Sequence, residues 1–151
     1  MIIREREPLN LEFPFDQLDG FITPTDLFYI RSHFPAPELN STSYELRVEG
    51  AVERPFSLSL DELRAMPHET VTATLECAGN SRVFLVPQEQ GAQWELGAVG
   101  NAEWTGVRLS TLLARVGLKP NVCEIVLEGA DRGEPKAVSY THLTLPTILR
   151  V

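Results

Sequence analysis

From Tyr44 onward the chain alternates. Tyr44, Leu46 and Val48 fall on one face and Glu45, Arg47 and Glu49 on the other, before Gly50 breaks the run. A period of two predicts a half-buried strand. A second alternation runs through HETVTATLECAGN, with Val71, Ala73, Leu75 and Cys77 on one side and Thr70, Thr72, Thr74 and Glu76 on the other. It predicts a strand that aims the Cys77 sulfur inward at its end, where Gly79 and Asn80 supply the backbone freedom of a tight exit. A third apolar face, Cys123, Ile125 and Leu127, leads to Gly129 and predicts another strand, with Cys123 as a buried core thiol.

Helical signals are short. Ser59 with Glu62 three residues on forms a capping box, Leu60 and Leu63 supply the apolar face, and Pro67 ends the helix. Ser110 is a candidate cap for a helix through Leu112, Leu113 and Val116, with Gly117 as its stop and Pro120 beyond. Residues 8–26, carrying Pro8, Pro14, Gly20 and Pro24, predict an irregular, surface-hugging arm. Residues 87–106 hold Pro87, Gly91, Gly97, Gly100 and Gly106, broken by Trp94 and Trp104, and predict a long ordered loop. The resulting order is arm, strand, helix, strand, long loop, helix, strand. It fits an α+β domain with a mixed or mostly antiparallel sheet, short helices and long loops better than a strict βαβ fold.

Composition narrows the class. At 151 residues and 43% hydrophobic content, the chain is the size of one ordinary domain with a real core. The 21 acidic and 13 basic residues give a formal charge of −8, and no Lys/Arg cluster appears, which argues against nucleic acid or a membrane surface as partner. The opening MIIREREPLN holds no apolar stretch long enough for a signal peptide or a membrane span, so a cytoplasmic location is expected. That compartment argues against a structural Cys77–Cys123 disulfide. The sequence contains no CxxC, HExxH, GxSxG, Walker loop or GxGxxG, which removes the common zinc, hydrolase and nucleotide signatures.

What chemistry is left centres on LECAGNSR at 75–82, a thiol where an extended run breaks into a turn. As structure, Cys77 is a small hydrophobe at a strand end. As a nucleophile it needs a base, with His33, His68 and His142 as candidates. As a metal thiolate it needs no base, and a metal carried by its own organic cofactor requires only one cysteine from the protein. In DLFYIRSHFPAPEL, Arg31 and His33 stand among Phe28, Tyr29, Ile30 and Phe34, and Pro35 and Pro37 stop the segment. Taken alone, Arg31 packs its stem on aromatics, His33 is a structural histidine and Asp131 in EGADRG is a turn residue.

Together, YIRSHFPAP at 29–37, TLECAGNSR at 74–82, AEWTGVRLSTLL at 102–113 and EGADRG at 128–133 resemble the sulfite oxidase family of molybdopterin oxidoreductases, in order and in spacing. The resemblance covers roughly residues 20–135. It implies a mixed α+β cofactor domain in which Cys77 is the metal ligand and a catalytic residue, beside a pterin dithiolene that supplies two further sulfurs. It implies that Arg31 helps hold an oxyanion, and that Tyr29, Ile30, Arg31, Ser32, His33 and Asp131 contact the molybdenum-molybdopterin cofactor. Ser32 departs from the Asn of the animal enzymes, keeping a hydrogen-bonding side chain but shortening it. Arg82 lies where the family often has a basic residue near the site. The implied reaction is oxygen-atom transfer on a small anionic substrate such as sulfite, with two-electron Mo(VI)/Mo(IV) cycling and electrons leaving to a separate acceptor such as a cytochrome. Relatives acting on nitrate or a sulfoxide, or a cofactor-free interaction domain that retains the fold, are the alternative readings.

Residues 1–136 thus read as a partial molybdopterin-binding domain. The tail at 137–151, AVSYTHLTLPTILRV, leaves the family's pattern and lacks its later cofactor contacts and its C-terminal dimerisation domain. It resembles translated adapter sequence appended to truncated gene predictions, with a divergent strand as the other reading. A homodimer is an expectation for the full-length protein only.

Overall fold

A computed structural model describes residues 1–133 and the backbone of residues 148–150. In chain order the elements are β1 (Ile2–Arg6), β2 (Leu9–Glu12), β3 (Glu45–Glu49), β4 (Phe56–Ser59), α1 (Leu60–Ala65), β5 (Glu69–Glu76), β6 (Val99–Gly106), α2 (Leu109–Val116), β7 (Val126–Glu128) and β8 (Ile148–Arg150). They belong to two compact units. The first gathers Met1–Ala36, Val71–Trp104 and Gly133, the second Pro37–Thr70, Thr105–Arg132 and residues 148–150. The α+β class expected from the sequence is the observed one, with short helices and small sheets.

In the first unit the expected irregular arm opens instead as a hairpin, β1 antiparallel to β2, followed by single 3-10 turns at Phe15–Gln17 and Thr25–Leu27. The reason it escapes a pattern search is an inverted face: Leu9 is 44% exposed while Asn10 and Glu12 are fully buried. Further along, the arm is tied down, since Thr23 N–H donates to the Asn101 carbonyl at 2.8 Å and its hydroxyl accepts the Asn101 N–H at 3.1 Å. The expected long loop also ends differently, because its last eight residues form β6, which pairs with β5. The pairing is antiparallel: Thr70 meets Thr105 and Thr74 meets Asn101, so the partner number falls as the first one rises.

The second unit holds a four-stranded mixed sheet in the order β4-β3-β8-β7, with β3–β8 parallel and the two outer pairs antiparallel. The alternation at 44–49 behaves as expected, with Val48 buried, Leu46 half-buried and Glu45 and Arg47 exposed. Val48, Val52 and Val116 form its core, with Phe56 and Leu113 packed against them. The capping box is present in both directions: Glu62 N–H donates to Ser59 Oγ at 3.2 Å and Ser59 N–H donates to Glu62 Oε2 at 2.8 Å.

Helix α2 departs from expectation at its start. Arg108 sits at the N-cap position without a side-chain cap, and Ser110 is already inside the first turn. Gly117 stops the helix as expected, at φ +67°, the left-handed region open to glycine. Cys123 is exposed rather than buried, because β7 begins only at Val126 and residue 123 lies on the stretch that precedes it.

Candidate cofactor site around Cys77

Cys77 follows β5 directly and starts a tight turn: its carbonyl accepts the Asn80 N–H at 2.8 Å and its own N–H donates to the Ala98 carbonyl at 2.9 Å. Asn80 Oδ1 accepts the Ala98 N–H at 3.0 Å, so both backbone groups of buried Ala98 are held by this turn. The Gly79 N–H points at the Cys77 sulfur at 3.5 Å. Ser81, at φ +68°, is the left-handed residue of the turn, not Gly79 or Asn80. Gly79 serves a different need. A Cβ there would stand 2.7 Å from Arg82 Nη2, and one at Gly91 would also strike that guanidinium, which donates to the Ala92 carbonyl at 3.3 Å. Arg82 is therefore folded between two glycines and fastens the cysteine turn to the 91–92 segment.

The surroundings of the sulfur differ from those expected from the alternation. Val71 is 56% and Leu75 47% exposed, and all eight residues of β5 are exposed. Among the described residues β5 pairs with β6 alone. The packing around Cys77 comes instead from the long loop: Cys77 and Tyr29, both half-buried, pack against buried Ala92, Trp94 and Ala98. Burial pushes the Tyr29 phenol above its ordinary pKa, and the nearby Cys77 and Glu76 push it further the same way. The phenol thus stays an O–H donor through neutral and mildly alkaline pH. Phe28 stacks on Tyr29 at 5.4 Å between ring centroids and stands edge-on to Trp104 at 5.6 Å.

Trp94 is the residue that sequence reasoning missed, since it appeared only as an interruption of a loop. It is completely buried, and its indole N–H has no hydrogen-bond partner among the described residues. A buried donor left unpaired costs about 1–3 kcal/mol, which marks a place beside this cluster for a polar group that none of the described residues provides.

The segment after Tyr29 is anchored through β2. Ile30 exchanges both backbone hydrogen bonds with Leu11, each at 2.9 Å, and Ser32 N–H donates to Asn10 Oδ1 at 2.7 Å. Arg31 is exposed, donates to the Ser32 carbonyl, and brings Nη2 to 3.1 Å from His33 Nδ1. His33 stands edge-on to Phe34 at 5.2 Å. The structure thus brings Tyr29 against Cys77 and places Ile30, Arg31, Ser32 and His33 on the continuation of that segment. Asp131, half-buried, belongs to the second unit. Of the three candidate bases, His33 has Nδ1 beside Arg31, His68 has Nδ1 3.3 Å from the Met66 carbonyl oxygen, and His142 lies outside the described residues.

Among the described residues no three His, Cys, Asp or Glu side chains gather as a metal site. A single sulfur donor, with a backbone N–H turned toward it and an orphaned indole N–H in the same cluster, fits a metal that arrives with ligands of its own. The chain belongs to the family of oxidoreductase molybdopterin-binding domains, whose family model matches residues 33–149. Within it the chain is of the sulfite oxidase type. The mitochondrial sulfite oxidase of Drosophila melanogaster is 41% identical over 130 residues, covering 83% of this chain and 22% of the fly protein. The NADH nitrate reductase of Ulva prolifera is 35% identical over 150 residues, 95% of this chain and 17% of that one. The crystal structure of the sulfane dehydrogenase SoxCD from Paracoccus pantotrophus superposes with a TM-score of 0.74 at 35% identity, covering 84% of this chain and 33% of that one. The chain therefore spans about a fifth of the length of the fly protein it matches.

Proposed function

We propose that this chain is the cysteine-bearing part of a molybdenum-cofactor-dependent oxidoreductase that acts on a small oxyanion, with sulfite as its substrate. The observation that carries the proposal is the half-buried Cys77 sulfur, which receives the Gly79 N–H beside Tyr29 and Trp94 in a chain of this family. When bound, the cofactor supplies two-electron exchange and oxygen-atom transfer at molybdenum.

The chain's own residues supply the rest. Cys77 would ligate the metal, with the Gly79 N–H turned toward its sulfur. Tyr29, Ile30, Ser32 and His33 would hold the pterin. Tyr29 offers an O–H whose raised pKa keeps it a donor. Arg31, exposed and multiply donating, would neutralise the anion against the net charge of −8 carried by the chain. Electrons would pass to a separate protein such as a cytochrome, and dimerisation would belong to the full-length protein.

The nitrate reductase relative supports a second substrate, because nitrate and sulfite are both small oxyanions. Molybdenum by mass spectrometry and pterin by fluorescence, measured on the purified chain and on Cys77→Ala, test the proposal. The unmodified chain is expected to carry both, and the variant to lose molybdenum while keeping some pterin. Molybdenum retained at an unchanged level in Cys77→Ala, or neither component in the unmodified chain, would overturn it; the second outcome favours a cofactor-free domain. Sulfite and nitrate turnover by the full-length gene product separates the two substrates.

A further inference from the structure

We infer that Asn10 and Glu12, the two buried polar residues of β2, are positioning residues that set the two arms of the candidate site separately. Glu12 sets the Cys77 turn and Asn10 sets the Arg31 segment. The inference rests on the reading of Cys77 as the metal-binding sulfur.

A strand that turns apolar Leu9 outward and buries an amide and a carboxylate runs against the ordinary pattern. Burying a carboxylate is costly unless its oxygens are occupied. Those of Glu12 are: Oε1 accepts the Gly97 N–H at 2.7 Å, and Oε2 accepts the Glu95 N–H at 3.2 Å and the Arg4 Nε–H. Arg4 in turn pairs with Glu95 at 3.0 Å. Burial is the largest influence on the Arg4 guanidinium and pulls its pKa down, but hydrogen bonds and charge from Glu12 and Glu95 outweigh it and raise the pKa above the ordinary value.

The two peptides that Glu12 grips sit within the stretch that holds the cysteine turn. Ser81 N–H donates to the Glu95 carbonyl at 2.6 Å, Val83 N–H to the Trp94 carbonyl at 3.1 Å and Cys77 N–H to the Ala98 carbonyl at 2.9 Å. A displacement of residues 95–97 therefore moves the backbone on which Cys77 is hung. Gly97 admits the approach because a Cβ there would collide with the Phe13 carbonyl and come within 2.8 Å of Glu12 Cγ.

Two residues earlier on the same face, Asn10 performs the matching task. Its Oδ1 accepts the Ser32 N–H at 2.7 Å, while Nδ2 donates to Glu5 and to the Pro8 carbonyl at 3.3 Å. One strand, rising about 3.3 Å per residue, thus fixes where the arginine segment and the cysteine turn begin. Apolar residues would fill the same space without fixing the direction of any N–H.

The test reads the Cys77 thiol itself. The chain carries Cys123→Ser, to remove the exposed second thiol, and is produced in a host that makes no molybdopterin. Alkylation by iodoacetamide is followed at one fixed pH. Glu12→Gln keeps the shape but turns an amide toward two N–H donors. It is expected to change the Cys77 rate by about fivefold or more, the equivalent of one lost buried hydrogen bond. Val48→Ala, which loosens the core of the second unit, is expected to leave that rate within about twofold. Asn10→Ala is expected to spare the Cys77 rate and to speed amide exchange at Ser32 by about tenfold. An unchanged rate in Glu12→Gln overturns the inference. So does an Asn10→Ala variant that alters the Cys77 rate as much as Glu12→Gln does. If Glu12→Gln does not fold, Glu12→Asp, which keeps the charge but withdraws it from the Gly97 and Glu95 N–H groups, replaces it with the same expectation for Cys77 and the same overturning result. None of these readouts depends on molybdenum, so the inference can fail while the proposed function stands.

Discussion

Asn80 closes the cysteine turn on Ala98: its side-chain oxygen takes the Ala98 N–H at 3.0 Å, while the Ala98 carbonyl takes the Cys77 N–H at 2.9 Å. Asn80→Ala leaves a buried N–H without its acceptor, a loss of about 1–3 kcal/mol. Urea unfolding is expected to show that drop. Asn80→Asp keeps the oxygen and is expected to recover part of it, held back by a new carboxylate close to Glu76, which now accepts from Asn80 Nδ2 at 2.9 Å.

Two glycines of the site are expected to respond differently to a methyl group. At Gly79 the obstacle is the far end of the Arg82 side chain, which can swing away at the cost of its bond to the Ala92 carbonyl. At Gly97 the obstacle is backbone, the Phe13 carbonyl, which cannot. Gly97→Ala is therefore expected to destabilise by about 1–3 kcal/mol or more and Gly79→Ala by less. In a double-mutant cycle Arg82→Ala should relieve Gly79→Ala and leave Gly97→Ala unrelieved.

The Tyr29 phenol titrates above the ordinary tyrosine value because it is buried and faces Cys77 and Glu76. Its folded pKa is raised, so its contribution to stability is complete below about pH 10, the unfolded value. It is lost as pH climbs through the raised folded value. Ultraviolet titration should lose a component lying above the ordinary tyrosine value in Tyr29→Phe. Cys77→Ala should shift the Tyr29 component downward, since it removes one of the two charges.

At α1 the sign is opposite. The Ser59 backbone and side chain, together with Arg115, hold the Glu62 carboxyl below its ordinary pKa. The stability this gives is present above the unfolded value and is lost as pH falls through the lowered folded one. Nuclear magnetic resonance titration of Ser59→Ala should find the Glu62 pKa moved back up, together with a lower Tm at neutral pH.

Legibility followed the range of the interactions. The strand at 44–49 and the cap at Ser59 and Glu62 depend on residues a few positions apart, and pattern alone finds them. The hairpin of β1 and β2 was hidden because Asn10 and Glu12 take the buried positions, and their donors lie on the Ser32 and Gly97 segments, far along the chain. Strand β6 was hidden by Gly97, Gly100 and Gly106, of which Gly97 and Gly100 are small to admit Phe13 and Phe28 rather than to make turns. Cys77 was legible as a thiol at a turn. Its neighbours Tyr29 and Trp94 were not both legible: the family resemblance pointed to Tyr29, and nothing short of the packed loop points to Trp94. The buried Cys123 failed because its alternation is real but its strand starts too late to include it.

The bare ribbon of β5 has a colloidal consequence. With β5 paired on one edge alone among the described residues and Val71 and Leu75 about half exposed, separate molecules are offered a template for sticking edge to edge. Mutual repulsion from a charge of −8 opposes that contact. Acid or concentrated salt weakens that repulsion without altering the ribbon. Clumping of this chain on acidification would therefore precede, rather than report, the melting of its folded units.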